Sequence, residues 1–552
     1  MIKENFIKIY EKSFNENWDL PALTDYSEGN TFTYGDLATE IARIHLIFKE
    51  CQVRRGDKIA LIGKDTSHWC MAYMAAITYG AIIVPILPDF HANDVHHIIN
   101  HSEAVFLFVS DSIWETLEEE QIESIRGVFS LTDFRCLHQR DGENIQQLIL
   151  NLDEMMHKKY PKGYNREDIK YAELSNDKIL LLNYTSGTSG FSKGVMLTGN
   201  NLAANLQYGL ASGLLYRGER ELCFLPLAHA YSCMFNFIVP MAVGTHVYLL
   251  GKIPSPKILL KAFEEVKPNL ILMVPLILEK IYKKMIMPQL NKRTLKLALN
   301  VPVLDVRIYS QIRKRLVNAF GGRFREVVVG GAAMNQEVAD FLYKIKFPFT
   351  IGYGMTECGP LVSHDLHDDY VLGSCGKVLE GLMEARVDAE PGKVGEILLK
   401  GENVMKGYFK NEEATQVAFT KDGWLRTGDL GTIDADNRLF LRGRSKSMIL
   451  SSNGQNIYPE EIESKLNNLP FVMESLVVEK EGKLIGLVYP DYATVDSTGL
   501  SHDDLPAIMN QNMKDLNKEL AGYERLKGIR LYPTEFEKTP KKSIKRYLYN
   551  QF

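Results

Sequence analysis

Ile179-Leu180-Leu181-Leu182-Asn183-Tyr184-Thr185-Ser186-Gly187-Thr188-Ser189-Gly190-Phe191-Ser192-Lys193-Gly194 joins two textures. The first is an aliphatic run of the kind that forms a strand buried on both faces. The second, from Tyr184 to Gly194, packs three glycines, five Ser/Thr hydroxyls and one lysine into eleven residues. Glycines let backbone N–H groups turn toward an anion, hydroxyls donate further hydrogen bonds, and a lysine can meet the charge of a terminal phosphate. A strand followed by a phosphate cradle is one reading; a polar surface loop has the same composition. No G-x-x-x-x-G-K-[ST] pattern occurs in the run, so Walker-type chemistry is not implied.

Outward from this unit, short Val/Ile/Leu runs recur between segments with helical spacing: KIALIG, AIIVPIL, AVFLFVS, THVYLL, NLILMVP and REVVVGG. That alternation predicts an α/β fold, with parallel sheets covered by helices in a large N-terminal domain built of subdomains. Loops after parallel strands are where such folds usually place ligands. Beyond Arg444 the texture becomes a smaller α+β pattern: a helix over Pro459 to Asn468, the strand pair SLVVEKEGKLIGLVY, a charged helix and the strand GIRLYP. The expected domains are therefore 1–443 and 444–552. The junction lacks a Gly/Ser- or Pro-rich linker, which predicts a tight hinge rather than a tether.

At 552 residues the chain exceeds one ordinary core, and 45% hydrophobic with 24% charged residues is the balance of a globular protein. A net charge of −5, from 64 Lys/Arg against 69 Asp/Glu, offers no basic field for nucleic acid. The seven scattered cysteines never form C-x-x-C, so neither a disulfide framework nor a thiolate zinc site is suggested. Together with an N-terminus unlike a signal peptide, they predict a cytoplasmic protein. Trp69 to Leu87 has about the length and apolarity of a membrane span. Gly80 and Pro85 divide it, and a buried helix followed by a buried strand is the expected outcome. No transmembrane segment is predicted; peripheral membrane contact and oligomeric state are left open.

Further motifs follow in order: Gly352-Tyr353-Gly354-Met355-Thr356-Glu357, Trp424-Leu425-Arg426-Thr427-Gly428-Asp429, Gly443-Arg444-Ser445-Lys446 and Asn453-Gly454-Gln455-Asn456-Ile457-Tyr458-Pro459. With the Tyr184–Gly194 loop, these resemble the signature motifs of the adenylate-forming (AMP-binding) superfamily of acyl-CoA synthetases, adenylation domains and luciferases, over roughly Phe32 to Arg546. The resemblance implies ATP, Mg2+ and coenzyme A as the small-molecule partners. It implies a nucleotide site made of Thr185, Ser186, Gly187, Thr188, Ser189, Gly190, Lys193, Gly330, Gly331, Ala332, Tyr353, Gly354, Thr356, Asp429 and Arg444.

Physical roles accompany that likeness. The Tyr353 ring suits stacking on adenine, Thr356 can donate to the α-phosphate, and Glu357 is a hard oxygen ligand for magnesium, with Thr185 as a second. Asp429 can accept from both ribose hydroxyls, and Arg444 can reach ribose or phosphate. Gly330-Gly331-Ala332 is small enough to admit a ligand against the backbone. His229, in Pro226-Leu227-Ala228-His229-Ala230-Tyr231, matches a position near the carboxylate being activated. By alignment, Lys446 is the hinge residue and Gly454 lines the tunnel for the thiol arm of coenzyme A.

One departure stands out. The family places a catalytic lysine near its C-terminus; here Lys538-Thr539-Pro540-Lys541-Lys542-Ser543-Ile544-Lys545-Arg546 puts Ser543 at that position. A lysine's flexible stem can carry its charge in from a neighbouring backbone position, so Lys542 is expected to substitute, with Lys541 the alternative. The stretch KPNLILMVPLILEKIYKK, Lys267 to Lys284, resembles the VP-x-x-x-E-K-I-Y segment of long-chain fatty acid–CoA ligases and implies a fatty acid substrate. Three other functions fit the same motifs: an acyl-AMP ligase that loads a carrier protein, an adenylation enzyme for amino or aryl acids, and a non-catalytic acyl or nucleotide sensor.

Overall fold

A computed structural model of the chain describes residues 2–185, 192–251, 254–290, 304–450, 455–539 and 544–549. Each of the aliphatic runs is a strand. Among the described residues, one sheet has eight strands, in the order Gly407–Tyr408, Lys193–Thr198, Ile179–Thr185, Ile82–Ile86, Lys58–Ile62, Ala104–Val109, Gly127–Ser130 and Cys136–Gln139. From Ile179–Thr185 through Gly127–Ser130 all pairings are parallel; the flanking pairings are antiparallel. The second sheet runs Phe349–Ile351, Glu326–Val329, Leu270–Met273, Arg220–Cys223, His246–Leu249, Pro21–Asp25 and Asn30–Thr33, antiparallel at its last pair alone. The expectation of parallel sheets thus holds for their centres, while one edge of each sheet closes with a hairpin, Gly127–Ser130 with Cys136–Gln139 and Pro21–Asp25 with Asn30–Thr33, which needs only a short connection.

The span-like segment resolves as expected into the helix Ser67–Tyr79 and the strand Ile82–Ile86. Thr66 caps the helix by accepting from Trp69 N, and Gly80, at φ 89, ends it. Every residue from Trp69 to Ile77 is fully buried. A helix covered on all sides has no polar face to display, which is why its composition imitates a membrane span. Among the described residues no helix is long and apolar enough to cross a membrane.

An antiparallel sheet follows, Met383–Asp388, Gly395–Gly401, Leu425–Ile433 and Leu439–Arg444. Then come the helix Pro459–Leu466, the hairpin Val472–Lys480 and Lys483–Pro490, the helix Leu505–Glu519 and the strand Gly528–Leu531, in the order read from the sequence. Buried apolar residues up to Leu439 fall into two clusters, a large one and a smaller one on the eight-stranded sheet, whereas those from Ile457 onward form clusters of their own. Polar contacts cross between the two parts. Lys283 Nζ donates to Asn467 O at 3.2 Å, Asn335 Nδ2 to Ser464 O at 3.3 Å, and Arg442 lies 3.4 Å from Glu461.

Glu326 opens its strand almost completely buried, 4.0 Å from the His364 ring, whose Nδ1 meets Tyr208 OH at 2.6 Å. Burial pushes the Glu326 carboxyl up from 4.5 to about 8. Because the folded pKa is the higher one, the folded protein keeps a proton here that the unfolded chain releases. The stabilisation is full below about pH 4.5 and is lost as pH rises toward 8, by at most about 1.4 kcal/mol per pH unit. Glu326→Gln, neutral throughout, is expected to melt several degrees above the parent at pH 8.5 and close to it at pH 5. Calorimetric melts at the two pH values check this; equal differences at both would contradict it.

Candidate active site

The second sheet gathers the motifs. Its parallel strands end at one edge, where Cys223 leads toward Pro226–His229, Val329 into Gly330-Gly331-Ala332, and Ile351 into Gly352–Glu357. Arg220–Cys223 has strands of later sequence on both sides, so the His229 loop leaves from a point where the strand order reverses, the usual ligand position in open α/β sheets. Leu227 N donates to the half-buried Asp65 carboxylate at 3.0 Å, which ties the His229 loop to the eight-stranded sheet's side of the molecule. Tyr231, two residues on, donates to Val328 O at 3.0 Å, and its ring lies 3.3 Å from where a Cβ on Gly330 would project. His229 and the Gly330 segment are therefore brought together.

Tyr353, Asp429 and Arg444, distant in sequence, also converge. Tyr353 OH donates to Asp429 Oδ2 at 2.5 Å, and Arg444 Nε pairs with Asp429 Oδ1 at 2.8 Å. Asp429 is buried and Arg444 largely exposed, so the carboxylate is held in place from one wet and one dry side. Burial raises the Asp429 carboxyl, while Arg444 and the Tyr353 hydroxyl act to lower it. The Tyr353 ring, expected to stack on adenine, is 9% exposed in this arrangement and is anchored by its hydroxyl. Gly354 is required by its surroundings: a Cβ there would stand 2.4 Å from Pro360 O, a contact with backbone that cannot give way.

At the other cluster, Lys193 lies opposite Thr185 in the hairpin that closes the Tyr184–Gly194 run. The Lys193 ammonium sits 5.1 Å from the centre of the Tyr408 ring, and Tyr408 OH donates to Glu357 Oε1 at 2.9 Å. Thr356 is buried beside Glu357. Among the described residues no donor reaches Glu357 Oε2, and no group of three or more His, Cys, Asp or Glu side chains forms a metal cage. One carboxylate beside a lysine fits magnesium in the way that ion is usually held, by one or two protein oxygens with substrate phosphates and water supplying the rest.

Ser186, Gly187, Thr188, Ser189, Gly190, Gly454, Lys541, Lys542 and Ser543 lie outside the described residues. The residues flanking the last three are informative. Lys538 pairs with Glu474, Lys545 with Glu537 at 3.0 Å, and Arg546 with Glu463. The flanking cations are thus committed to carboxylates of the same part of the chain. Lys446 is exposed, just past the strand that ends at Arg444.

Sequence reading missed Tyr408, Asp65 and Asn205. Asn205, fully buried, donates to Cys358 O and accepts from Leu361 N, both at 2.9 Å, and so fixes the loop that follows Glu357. Only the short Lys406-Gly407-Tyr408 run carried a local signal, a glycine beside an aromatic; the other two had none.

The model of the family described as AMP-binding enzyme matches residues 10–409, and the chain belongs to that family. Long-chain-fatty-acid--CoA ligase FadD15 of Mycobacterium bovis is 28% identical, covering 93% of this chain and 89% of that protein. 4-Coumarate--CoA ligase CCL1 of Humulus lupulus is 27% identical over 96% and 90%. Among solved structures, ATP-bound MatB from Rhodopseudomonas palustris matches with a TM-score of 0.76 at 22% identity, over 99% of both chains. The anthranilate CoA ligase AuaEII in complex with anthranoyl-AMP matches at 0.78 and 20% identity, over 99% of this chain and 97% of the other.

Proposed function

We propose that the chain is an AMP-forming acid–coenzyme A ligase acting on a medium- to long-chain fatty acid. The observation that carries the reading is the pairing of a phosphate-side cluster, Lys193, Tyr408 and Glu357, with a ribose-side cluster, Tyr353, Asp429 and Arg444, on one adenylate-forming scaffold.

In the first half-reaction the acid's carboxylate oxygen attacks the α-phosphorus of ATP and pyrophosphate leaves. Lys193 offsets charge on the departing group and Thr356 donates to the α-phosphate. Glu357, with Thr185 as a further oxygen, would hold magnesium, which supplies charge neutralisation along the phosphates. Asp429 accepts from the ribose hydroxyls, and His229 borders the carboxylate. In the second half-reaction the coenzyme A thiol attacks the acyl carbonyl and AMP leaves. The proposed unit 444–552 turns about Lys446 between the two, with Gly454 leaving room for the thiol arm; closure excludes water from the labile mixed anhydride.

Support for a fatty acid comes from the VP-x-x-x-E-K-I-Y stretch and from the long-chain ligase relative. In the structure that stretch forms the helix Pro275–Ile281, whose Glu279 accepts from Asn335 N at 2.9 Å, and Val274 comes within 3.7 Å of a Cβ position on Gly331. It therefore borders the segment proposed to flank the acyl-adenylate. Pyrophosphate release, measured with acids of increasing chain length and with 4-coumarate, each with and without coenzyme A, tests the reading. Release and thioester formation that peak with a fatty acid are expected. A peak with 4-coumarate would overturn the substrate, acyl-AMP made but never passed to coenzyme A would indicate a carrier protein as acceptor, and binding without pyrophosphate would indicate a sensor.

A further inference from the structure

We infer that Tyr408 is a positioning residue that sets Glu357 and Lys193 relative to each other, and so tunes how the protein grips a metal–nucleotide complex as distinct from the nucleotide alone. The inference rests on the roles proposed above for Glu357 and Lys193.

Main-chain geometry comes first. Gly407–Tyr408 is an edge strand that pairs antiparallel with Lys193–Thr198, Tyr408 opposite Val195. Lys406 N donates to Met196 O at 3.0 Å and Phe409 N to Gly194 O at 2.8 Å, while Met405 N donates to Glu357 O at 2.7 Å. Five consecutive residues therefore stitch the backbone of the Lys193 strand to that of the Glu357 turn. Tyr408 N is held in turn by Thr415 Oγ1 at 2.9 Å.

The side chain then completes the link in two chemically separate ways. Its ring face lies 5.1 Å from the Lys193 ammonium, an attraction between cation and ring that a phenylalanine would retain. Its hydroxyl donates to Glu357 Oε1 at 2.9 Å, a charge-assisted bond that a phenylalanine would lose. Holding Oε1 orients the carboxylate with Oε2 turned to the remaining side. A ligand carboxylate oriented by an outer partner binds metal more tightly than one left to rotate, typically by 10- to 100-fold for dedicated sites.

Calorimetric titration of the full-length protein with ATP, once with excess Mg2+ and once in EDTA, tests the inference on the parent, Tyr408→Phe, Glu357→Gln, the double variant and Tyr408→Leu. Thermal melts confirm that each is folded. Tyr408→Phe is expected to weaken MgATP binding by about 5- to 10-fold and to leave ATP in EDTA within twofold. The double variant is expected to bind MgATP no more weakly than Glu357→Gln, because the hydroxyl acts through that carboxylate. Tyr408→Leu is expected to weaken both forms, having lost the ring beside Lys193. Equal loss of both ATP forms in Tyr408→Phe, or additive losses in the double variant, would reduce Tyr408 to a structural residue and overturn the inference. If Tyr408→Phe matches the parent while Glu357→Gln is weak, the inference alone fails. If Glu357→Gln itself binds MgATP like the parent, the metal role proposed for Glu357 fails and takes the inference with it.

Discussion

Lys542→Ala is expected to slow ATP–pyrophosphate exchange by about 10²- to 10³-fold, the usual cost of removing one charged group that stabilises a transition state. The second half-reaction, started from preformed acyl-AMP and coenzyme A, should change by less than about threefold, because the charge is needed only while pyrophosphate departs. The structure sharpens this expectation by what it does with the neighbours. Lys538, Lys545 and Arg546 are engaged with Glu474, Glu537 and Glu463 of the same part of the chain. Glu463 is buried, accepts from Val477 N, and has its carboxyl raised to about 7 by burial against the pull of Arg546. An arginine so anchored is poorly placed to swing into another site. The remaining cations of the segment are Lys541 and Lys542, and Lys541→Ala is the control. A large loss in Lys541→Ala alone would transfer the role to that residue. No loss in either would leave adenylation to Lys193 and magnesium.

Asp429→Ala should lower the exchange reaction's kcat/KM for ATP by about 10²-fold, from two hydrogen bonds to a charged acceptor worth about 1.5–3 kcal/mol each, partly replaced by water. The geometry explains why so much depends on one carboxylate. Tyr353 and Arg444 each occupy one oxygen, at 2.5 and 2.8 Å, and a carboxylate has lone pairs left over for two ribose hydroxyls. The sharper readout is therefore selectivity. The parent should prefer ATP over 2′-deoxy-ATP, and Asp429→Ala should treat the two within about twofold, since the acceptor that distinguishes them is gone. Asp429→Asn, which keeps an acceptor oxygen, should fall between. A parent that already ignores the 2′-hydroxyl would remove Asp429 from the ribose role.

Much of this site could be read before any coordinates. The aliphatic runs became strands because strands buried on both faces must be apolar throughout, a demand met locally by composition. Two of the motifs fell at strand ends for the same reason: Val327 to Val329 must stop where Gly330 starts, and Ile351 where Gly352 starts, whereas Leu425 to Asp429 lies within the strand Leu425–Ile433. Seven cysteines without pairing spacing are indeed all free thiols, five of them buried. Even the misleading Trp69 segment carried its own correction in Gly80.

Tyr408, Asp65 and Asn205 could not be read, and the separations say why. Tyr408 meets Glu357 across 51 residues, Asn205 meets Cys358 across 153, and Asp65 meets Leu227 across 162. None belongs to a periodic pattern, and a lone Tyr, Asp or Asn has ordinary propensities. Their roles arise only when sheet order brings remote loops to one edge. The Tyr184–Gly194 run, by itself, determined that a buried strand leads into a row of hydroxyls and glycines with one lysine, the composition of a phosphate cradle or of a polar surface loop. What Lys193 stands beside was decided by the tertiary structure, because an edge strand more than two hundred residues away, Gly407–Tyr408, hydrogen-bonds to the strand that Lys193 begins. Local composition can specify a chemical group and its backbone; only long-range pairing can fix the distance between two such groups, and that distance is what the chemistry uses.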